Sequence, residues 1–454
     1  MREDMEDYAL KEWSVFVYIC SDMQDWNLID AAIADVGVMR RVGSSPKVGV
    51  VAQVDLPAVP TKRYVFPEKG TVKDPEFTIF ELDHNVNTAD SRSIVDFFAW
   101  ANQKAPAKNV FLILWGHGFG IDDFDPFLDN AVSSGTLGRA LGDVEWAGFP
   151  DSNGPFPLIH APVRDTSATI VGSIPDKGRR GFLKNNQIGD ALRECRGILE
   201  KQGHGQKLAI LGFDACDMSL LEVWFEMRDG PEIGIGSQFG VPFKGWPYAS
   251  MLDALNRYPE TDPAKLADLV VREFATFNDR NPKKPVVTLS ACNLAAAFEI
   301  AKPLRSLAEE LKKQSESPAA RAKIFDARNL SPIFDEDGFI DVGEFCRQLQ
   351  VRFHGEKIEK YAGAVGAAIP KFVLTNSYAP KGTTKKISES TGVSLWFPPW
   401  IQHPDIEILE KEESKAYFHD HYSGTEFARC TGWYECLKGI YQNALYDAQF
   451  LRRA

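Results

Sequence analysis

The sequence predicts an α/β fold, a mostly parallel central sheet with helices on both faces. Three observations carry this expectation. Short apolar and β-branched runs recur through the first two-thirds of the chain, helical periodicity separates them, and one long Gly-, Pro-, Asp- and Ser-rich stretch breaks the rhythm. Runs apolar on both faces suit buried parallel strands, and strands alternating with helices build crossover units.

The first strand is Trp13–Cys20 (WSVFVYIC), too short for a helix and rich in β-branched and aromatic residues. A helical pattern runs from Asn27 to Arg41, and Lys47–Val54 (KVGVVAQV) is the next strand. After the segment around Arg63 and Tyr64 come a helix near Ser91–Lys104 and the strand Asn109–Trp115 (NVFLILW). The runs Lys207–Phe213, Glu232–Ser237 and Pro285–Leu289 complete the expected sheet. Past Leu304 the chain reads as a charged helix, the segment Phe339–Leu349, apolar strands near Gly363–Leu374 and Gly392–Phe397, and an amphipathic tail from Tyr417 to Tyr441. This divides the chain into a sheet domain, residues 1–303, and a C-terminal region, 304–454, packed on it. The rhythm breaks between Gly118 and Gln187, so residues 118–186 form a long insert; loops of that length are functional or disordered.

Composition narrows the function. The 454 residues hold 51 Lys and Arg against 63 Asp and Glu, a net charge of −12, which argues against binding nucleic-acid phosphates. No apolar run of about eighteen residues predicts a membrane span. Met1–Glu12 is acidic and lacks the basic-then-apolar order of a secretory signal, so a cytoplasmic protein is expected. The seven cysteines are scattered, odd in number and without a CxxC pair, against zinc ribbons, redox motifs and disulfide frameworks. The remaining question is whether one of them is a nucleophile.

Two strand ends stand out. Trp115 is followed by Gly116-His117-Gly118, and Phe213 by Asp214-Ala215-Cys216-Asp217. Open parallel sheets place their sites beyond the carboxyl ends of the strands, so neighbouring strands would bring His117 and Cys216 into one crevice. An imidazole can draw the proton from a thiol and return it to a leaving amine. The backbone N–H groups of Gly118 and Cys216 could bind the developing oxyanion. A helix expected over Met218–Met227 would point its positive end at the thiolate. A lone cysteine after an apolar strand is usually a buried small hydrophobe; the paired strand ends favour catalysis.

The chain resembles the clostripain family of cysteine peptidases, within the caspase-like clan. The matching segments run along almost the whole chain: 21–28 (SDMQDWNL), Gln53-Val54-Asp55, Arg63-Tyr64, the His-Gly and Asp-Ala-Cys segments, Met218, Glu222-Val223 and Gly245-Trp246-Pro247-Tyr248. Later come Thr288-Leu289-Ser290, Asp341-Val342-Gly343-Glu344-Phe345, the 392–398 segment (GVSLWFP) and Trp433. The resemblance implies a caspase-like α/β/α sandwich with a C-terminal elaboration. It makes Cys216 the nucleophile and His117 the general acid/base, a dyad needing no third acid.

The resemblance also implies cleavage after Arg or Lys, with Asp214 as an acid of the S1 pocket. Where relatives often carry further acids, this chain has Ser237-Gln238-Phe239 and Val241-Pro242-Phe243-Lys244. Ser237 and Gln238 are therefore expected beside Asp214, while Lys244 would oppose a cation unless it points away. Clan members are often zymogens cut between the His and Cys strands. The basic, glycine-flanked 175–181 segment (PDKGRRG) makes Lys177, Arg179 and Arg180 the candidate processing sites of a masking insert.

No cofactor is required for this chemistry. The resemblance allows Ca²⁺, for which Asp122, Asp123 and Asp125 are conceivable ligands. Asp335-Glu336-Asp337-Gly338 reads as a turn, since the rest of a calcium loop is missing, and Gly234-Ile235-Gly236 lacks a dinucleotide fingerprint. Expected partners are protein or peptide substrates and an activating protease or regulatory protein, with neither nucleic acid nor membrane. The competing readings are a catalytically silent binding or regulatory module, and an amidase or transferase using the same dyad. Location and insert together suggest a regulated signalling or defence protease.

Overall fold

The computed structural model describes residues 10–21, 26–56, 59–68, 78–118, 120–121, 183–334, 338–380, 385–397 and 420–453. The strands β1 (Lys11–Cys20), β2 (Val48–Asp55), β3 (Lys62–Val65), β4 (Thr78–Glu81), β5 (Ala107–Trp115), β6 (Lys207–Asp214), β7 (Ile233–Gly236) and β8 (Val287–Asn293) are joined by β11 (Val373–Ala379) in one sheet. Its order is β11-β8-β7-β6-β5-β1-β2-β3-β4. The central five strands, β7 to β2, are parallel. The outer ones, β3 and β4 on one side and β8 and β11 on the other, pair antiparallel. Residues 13–20 and all of β2 are buried, as strands covered on both faces must be.

Two hydrophobic cores lie on the two faces. One gathers α1 (Trp26–Val42), α5 (Tyr248–Arg257) and α6 (Pro263–Asp279) against Val15, Val17, Phe111, Ile113 and Ile235. The other sets α2 (Ser91–Lys104), α3 (Asn185–Lys201), α4 (Leu221–Met227) and α7 (Ala297–Gln314) against Phe16, Leu112, Leu114, Leu211 and Phe213. Alternate residues of each strand thus feed opposite cores. The chain enters β1, crosses to β2, and later returns to the other side of β1 as β5, so the topology switches direction between β1 and β5.

One expectation for the C-terminal region changes. Gly363–Phe372 is not a strand but the second half of α10 (Lys357–Phe372), which buries Ile358, Ala362, Val365, Ala368, Ile369 and Phe372. That i, i+3, i+4 stripe, filled with alanine, buries a helix face; a short apolar window does not separate this from a strand. The strand β11 follows directly, in the main sheet. The segment Phe339–Leu349 splits into β10 (Phe339–Asp341), which pairs with β9 (Ile333–Phe334) and β12 (Ser394–Trp396), and α9 (Val342–Arg352). Residue 304 falls inside α7, and the core of that face runs unbroken from Phe16 to Tyr441, so the C-terminal region completes one layer of the sandwich.

Candidate active site

Strands β5 and β6 end together. Trp115 and Asp214 are register partners in a parallel pair, and the Gly116 N–H donates to the Asp214 carbonyl at 3.3 Å, carrying the pairing past the strand ends. His117 and Cys216 each follow two residues later, so they leave adjacent strands at the same level. Gly118 is buried on the Cys216 backbone. A Cβ there would stand 2.2 Å from the Cys216 carbonyl oxygen and 3.0 Å from Ala215 Cβ and Met218 Cγ, so only glycine fits. The structure therefore brings His117, Gly118, Asp214 and Cys216 into one cluster at the carboxyl edge of the sheet.

The segment 237–241 forms a second wall. The Val241 N–H donates to Cys216 Sγ at 3.2 Å, and the sulfur lies 3.8 Å from the Val241 carbonyl oxygen. Asp217 turns the chain at φ +55°, and its N–H donates to the Phe239 carbonyl. Ser219 then bonds Ser237 on one side and Ser394 on the other. This pairing keeps residues 218–220 extended, so the helix expected from Met218 begins only at Leu221, as the seven-residue α4. A helix-end field fades within about one turn, so the dipole contribution expected at Cys216 is withdrawn.

Solvent access separates the cysteines. Cys20, Cys195, Cys292, Cys346 and Cys436 are buried, whereas Cys216 is half-buried and Cys430 exposed. Burial pushes the Cys292 thiol up to about 12 and the other four well above the usual thiol value. Such thiols are inert. Of the two accessible ones, only Cys216 lies at a strand end facing a histidine segment.

Asp214 closes the cluster from below. It is buried, its Oδ2 accepts from the Trp246 N–H at 3.1 Å and the Tyr248 hydroxyl at 3.0 Å, and burial raises its pKa to about 7. Asp35 of α1 adjoins it. Its Oδ2 accepts from Trp115 Nε1 at 3.0 Å, and burial, then the Asp214 charge, raise its pKa to about 8. Sequence reasoning overlooked Asp35, Trp115 and Val241. A signal for Asp35 was present: it falls between Leu28, Ala32 and Met39 on the buried stripe of α1, where an acid is out of place.

Ser237 and Gln238 point elsewhere than a pocket beside Asp214. Ser237 is fully buried against Thr288 and the Phe239 N–H. Gln238 donates to Asp341 at 3.1 Å and Ser394 at 2.9 Å, and accepts from the Gly392 N–H at 3.1 Å. Both side chains tie the end of β7 to its neighbours, Ser237 to β8 and Gln238 to the C-terminal layer. Lys244 is exposed. Lys177, Arg179 and Arg180, Asp122, Asp123 and Asp125, and Asp335–Asp337 lie outside the described residues. Among the described residues, no cluster of three His, Cys, Asp or Glu side chains is placed to hold a metal, and no helix is long and apolar enough to cross a membrane.

The fold has known counterparts. An inactive zymogen C11 protease from Parabacteroides distasonis superposes with a TM-score of 0.59 at 13% identity, over 93% of this chain and 99% of that one. A secreted C11 cysteine protease from Bacteroides thetaiotaomicron gives the same values, and its complex with an irreversible peptide inhibitor 0.58 at 14%, with the same coverage. At such identity the likeness speaks for the fold, the caspase-like α/β/α sandwich. No curated protein matches by sequence. The model of the clostripain family, peptidase family C11, matches residues 179–439, more than half the chain and including Asp214 and Cys216. On that match, the chain belongs to the clostripain family of cysteine peptidases.

Proposed function

We propose that the protein is an endopeptidase in which His117 and Cys216 form the catalytic dyad. His117 takes the Cys216 thiol proton, and the sulfur attacks the scissile carbonyl carbon. The resulting oxyanion is met by the Gly118 and Cys216 N–H groups, and His117 returns the proton to the departing amine. Water, activated by the same imidazole, then hydrolyses the thioester. The observation that supports this reading is the seating of Gly118 on the Cys216 backbone at the ends of two register-matched strands. The Val241 N–H would hold the thiolate between turnovers.

Asp214 is read as the acid that receives Arg or Lys at the cleavage position, Arg being favoured by bidentate geometry. Insert cleavage after Lys177, Arg179 or Arg180 is read as the activating event; a zymogen among the structural neighbours supports this. An intracellular enzyme cutting few partners is the accompanying proposal. All seven cysteines stand outside disulfides, which suits a reducing compartment, although one neighbour is a secreted enzyme. Required Ca²⁺ is not part of the reading; added chelator should leave activity unchanged.

A fluorogenic peptide panel with Arg, Lys, Asp and Ala at the cleavage position tests the reading. Wild type should turn over the Arg and Lys peptides, and Cys216→Ala and His117→Ala none. Intact mass after prolonged incubation should show two fragments for wild type and one uncut chain for Cys216→Ala. Turnover that survives Cys216→Ala would overturn the assignment.

A further inference from the structure

We propose that Asp35 is a specificity-determining residue, forming with Asp214 a two-carboxylate base for the pocket that receives the substrate's cationic side chain. The inference rests on the reading of Asp214 as the acid of that pocket.

Three carboxylate oxygens converge on one point. The position of a Cβ on Gly245 lies 2.9 and 3.3 Å from the two Asp214 oxygens and 3.4 Å from Asp35 Oδ2. Gly245 holds φ +57°, so glycine is required both by the backbone and by the space. Asp35 is 6% exposed and Asp214 4%. The two acids therefore face each other at the carboxyl edge of the sheet, Asp214 two residues before Cys216 and Asp35 bonded to Trp115, two residues before His117.

A carboxyl kept for packing alone would have its oxygens satisfied. Asp214 Oδ2 takes two donors, but Oδ1 is buried without a hydrogen bond. The charge that acts on Asp35 is the like charge of Asp214, and among the described residues no cation offsets it. Facing carboxylates in a dry site call for a shared proton or a cation between them.

A substrate guanidinium answers both needs. Its planar fork of donors can satisfy Asp214 Oδ1 and reach Asp35 while cancelling their repulsion. An ammonium concentrates its donors at one atom and spans two carboxyls less well. A neutral side chain leaves both uncompensated. The arrangement thus predicts Arg over Lys, and both over a neutral isostere.

The test compares peptides with Arg, Lys or citrulline at the cleavage position, cut by wild type, Asp35→Asn and Asp35→Glu. Agmatine binding to Cys216→Ala, with and without Asp35→Asn, gives a readout independent of turnover. Asp35→Asn should lose about 10-fold or more in kcat/KM on the Arg peptide, through KM, so that the Arg-to-citrulline ratio falls by about that factor. Agmatine affinity should fall by a similar factor, and Asp35→Glu should keep the Arg-to-citrulline ratio within about 3-fold. An Asp35→Asn enzyme with the wild-type ratio and agmatine affinity would overturn this inference and leave Asp214 standing. Wild type that cuts Arg and citrulline peptides equally and binds no agmatine would sink the Asp214 reading with it.

Discussion

Gly118 and Cys216 are in backbone contact: the space beside the Gly118 Cα is filled by the carbonyl oxygen of Cys216. A side chain on residue 118 must therefore push apart the two segments that carry His117 and Cys216. Gly118→Ala should cut kcat/KM by about 100-fold, since displacements of about 1 Å cost that much in preorganised sites. Peptide kinetics with a parallel melting curve check this; unchanged kcat/KM would remove Gly118 from the site.

Gln238 is predicted to matter for folding and not for specificity. Its amide joins β7 to Asp341, Ser394 and Gly392, all buried. Gln238→Leu leaves Asp341, whose pKa burial already raises, short of a donor. A loss of about 2–3 kcal/mol is expected by chemical denaturation, with the Arg-to-Ala preference intact. A changed preference would return Gln238 to the pocket.

Glu222 is predicted to weaken the fold as pH rises toward neutrality. Its Oε1 accepts from the Trp396 N–H and the Tyr422 hydroxyl, both at 2.9 Å, while Oε2 is buried without a partner. Burial lifts its pKa from 4.5 to about 7, with these hydrogen bonds opposing. The folded state then holds this proton more tightly than the unfolded chain. Its stabilisation is complete below about pH 4.5 and is lost as pH rises through about 7. Glu222→Gln should melt above wild type by a margin that grows from pH 5 to about pH 7.5, reaching about 2 °C, and then levels off. A margin independent of pH would rule out this titration.

Tyr248 should tune the acid that it touches. Its hydroxyl donates to Asp214 Oδ2 at 3.0 Å, one of two donors that hold the carboxylate against burial. Tyr248→Phe removes it, so Asp214 should protonate more readily. KM for an Arg peptide at pH 7 is expected to rise about 3- to 10-fold with kcat nearly unchanged, and the rise should shrink at pH 9. Equal KM values at pH 7 would mean that Asp214 does not meet the substrate.

Much of this architecture was legible because its signals are local. The run NVFLILW is buried on both faces as the sequence predicts, and the helix Ser91–Lys104 has the expected ends, with the Asp90 side chain capping the Arg92 N–H. His117 and Cys216 were singled out because each stands two residues past the end of such a strand. The helix over Gly363–Phe372 was missed because its Ala- and Gly-rich apolar run has no period that excludes a strand. The late start of α4 was missed because residues 218–220 owe their extended form to Ser237 and Ser394, distant in sequence.

The sequence by itself determined the class of the sheet, the family, and the pair of residues expected to do the chemistry, since periodicity and strand-end motifs are written within a few neighbouring positions. Only the tertiary structure decided what surrounds that pair. The β5–β6 register set Gly118 on Cys216, the crossover of α1 brought Asp35 to Asp214, and the C-terminal layer claimed Gln238. Those outcomes depend on contacts between segments far apart in the chain, and burial there, more than residue type, settles which carboxyl or amide has a partner.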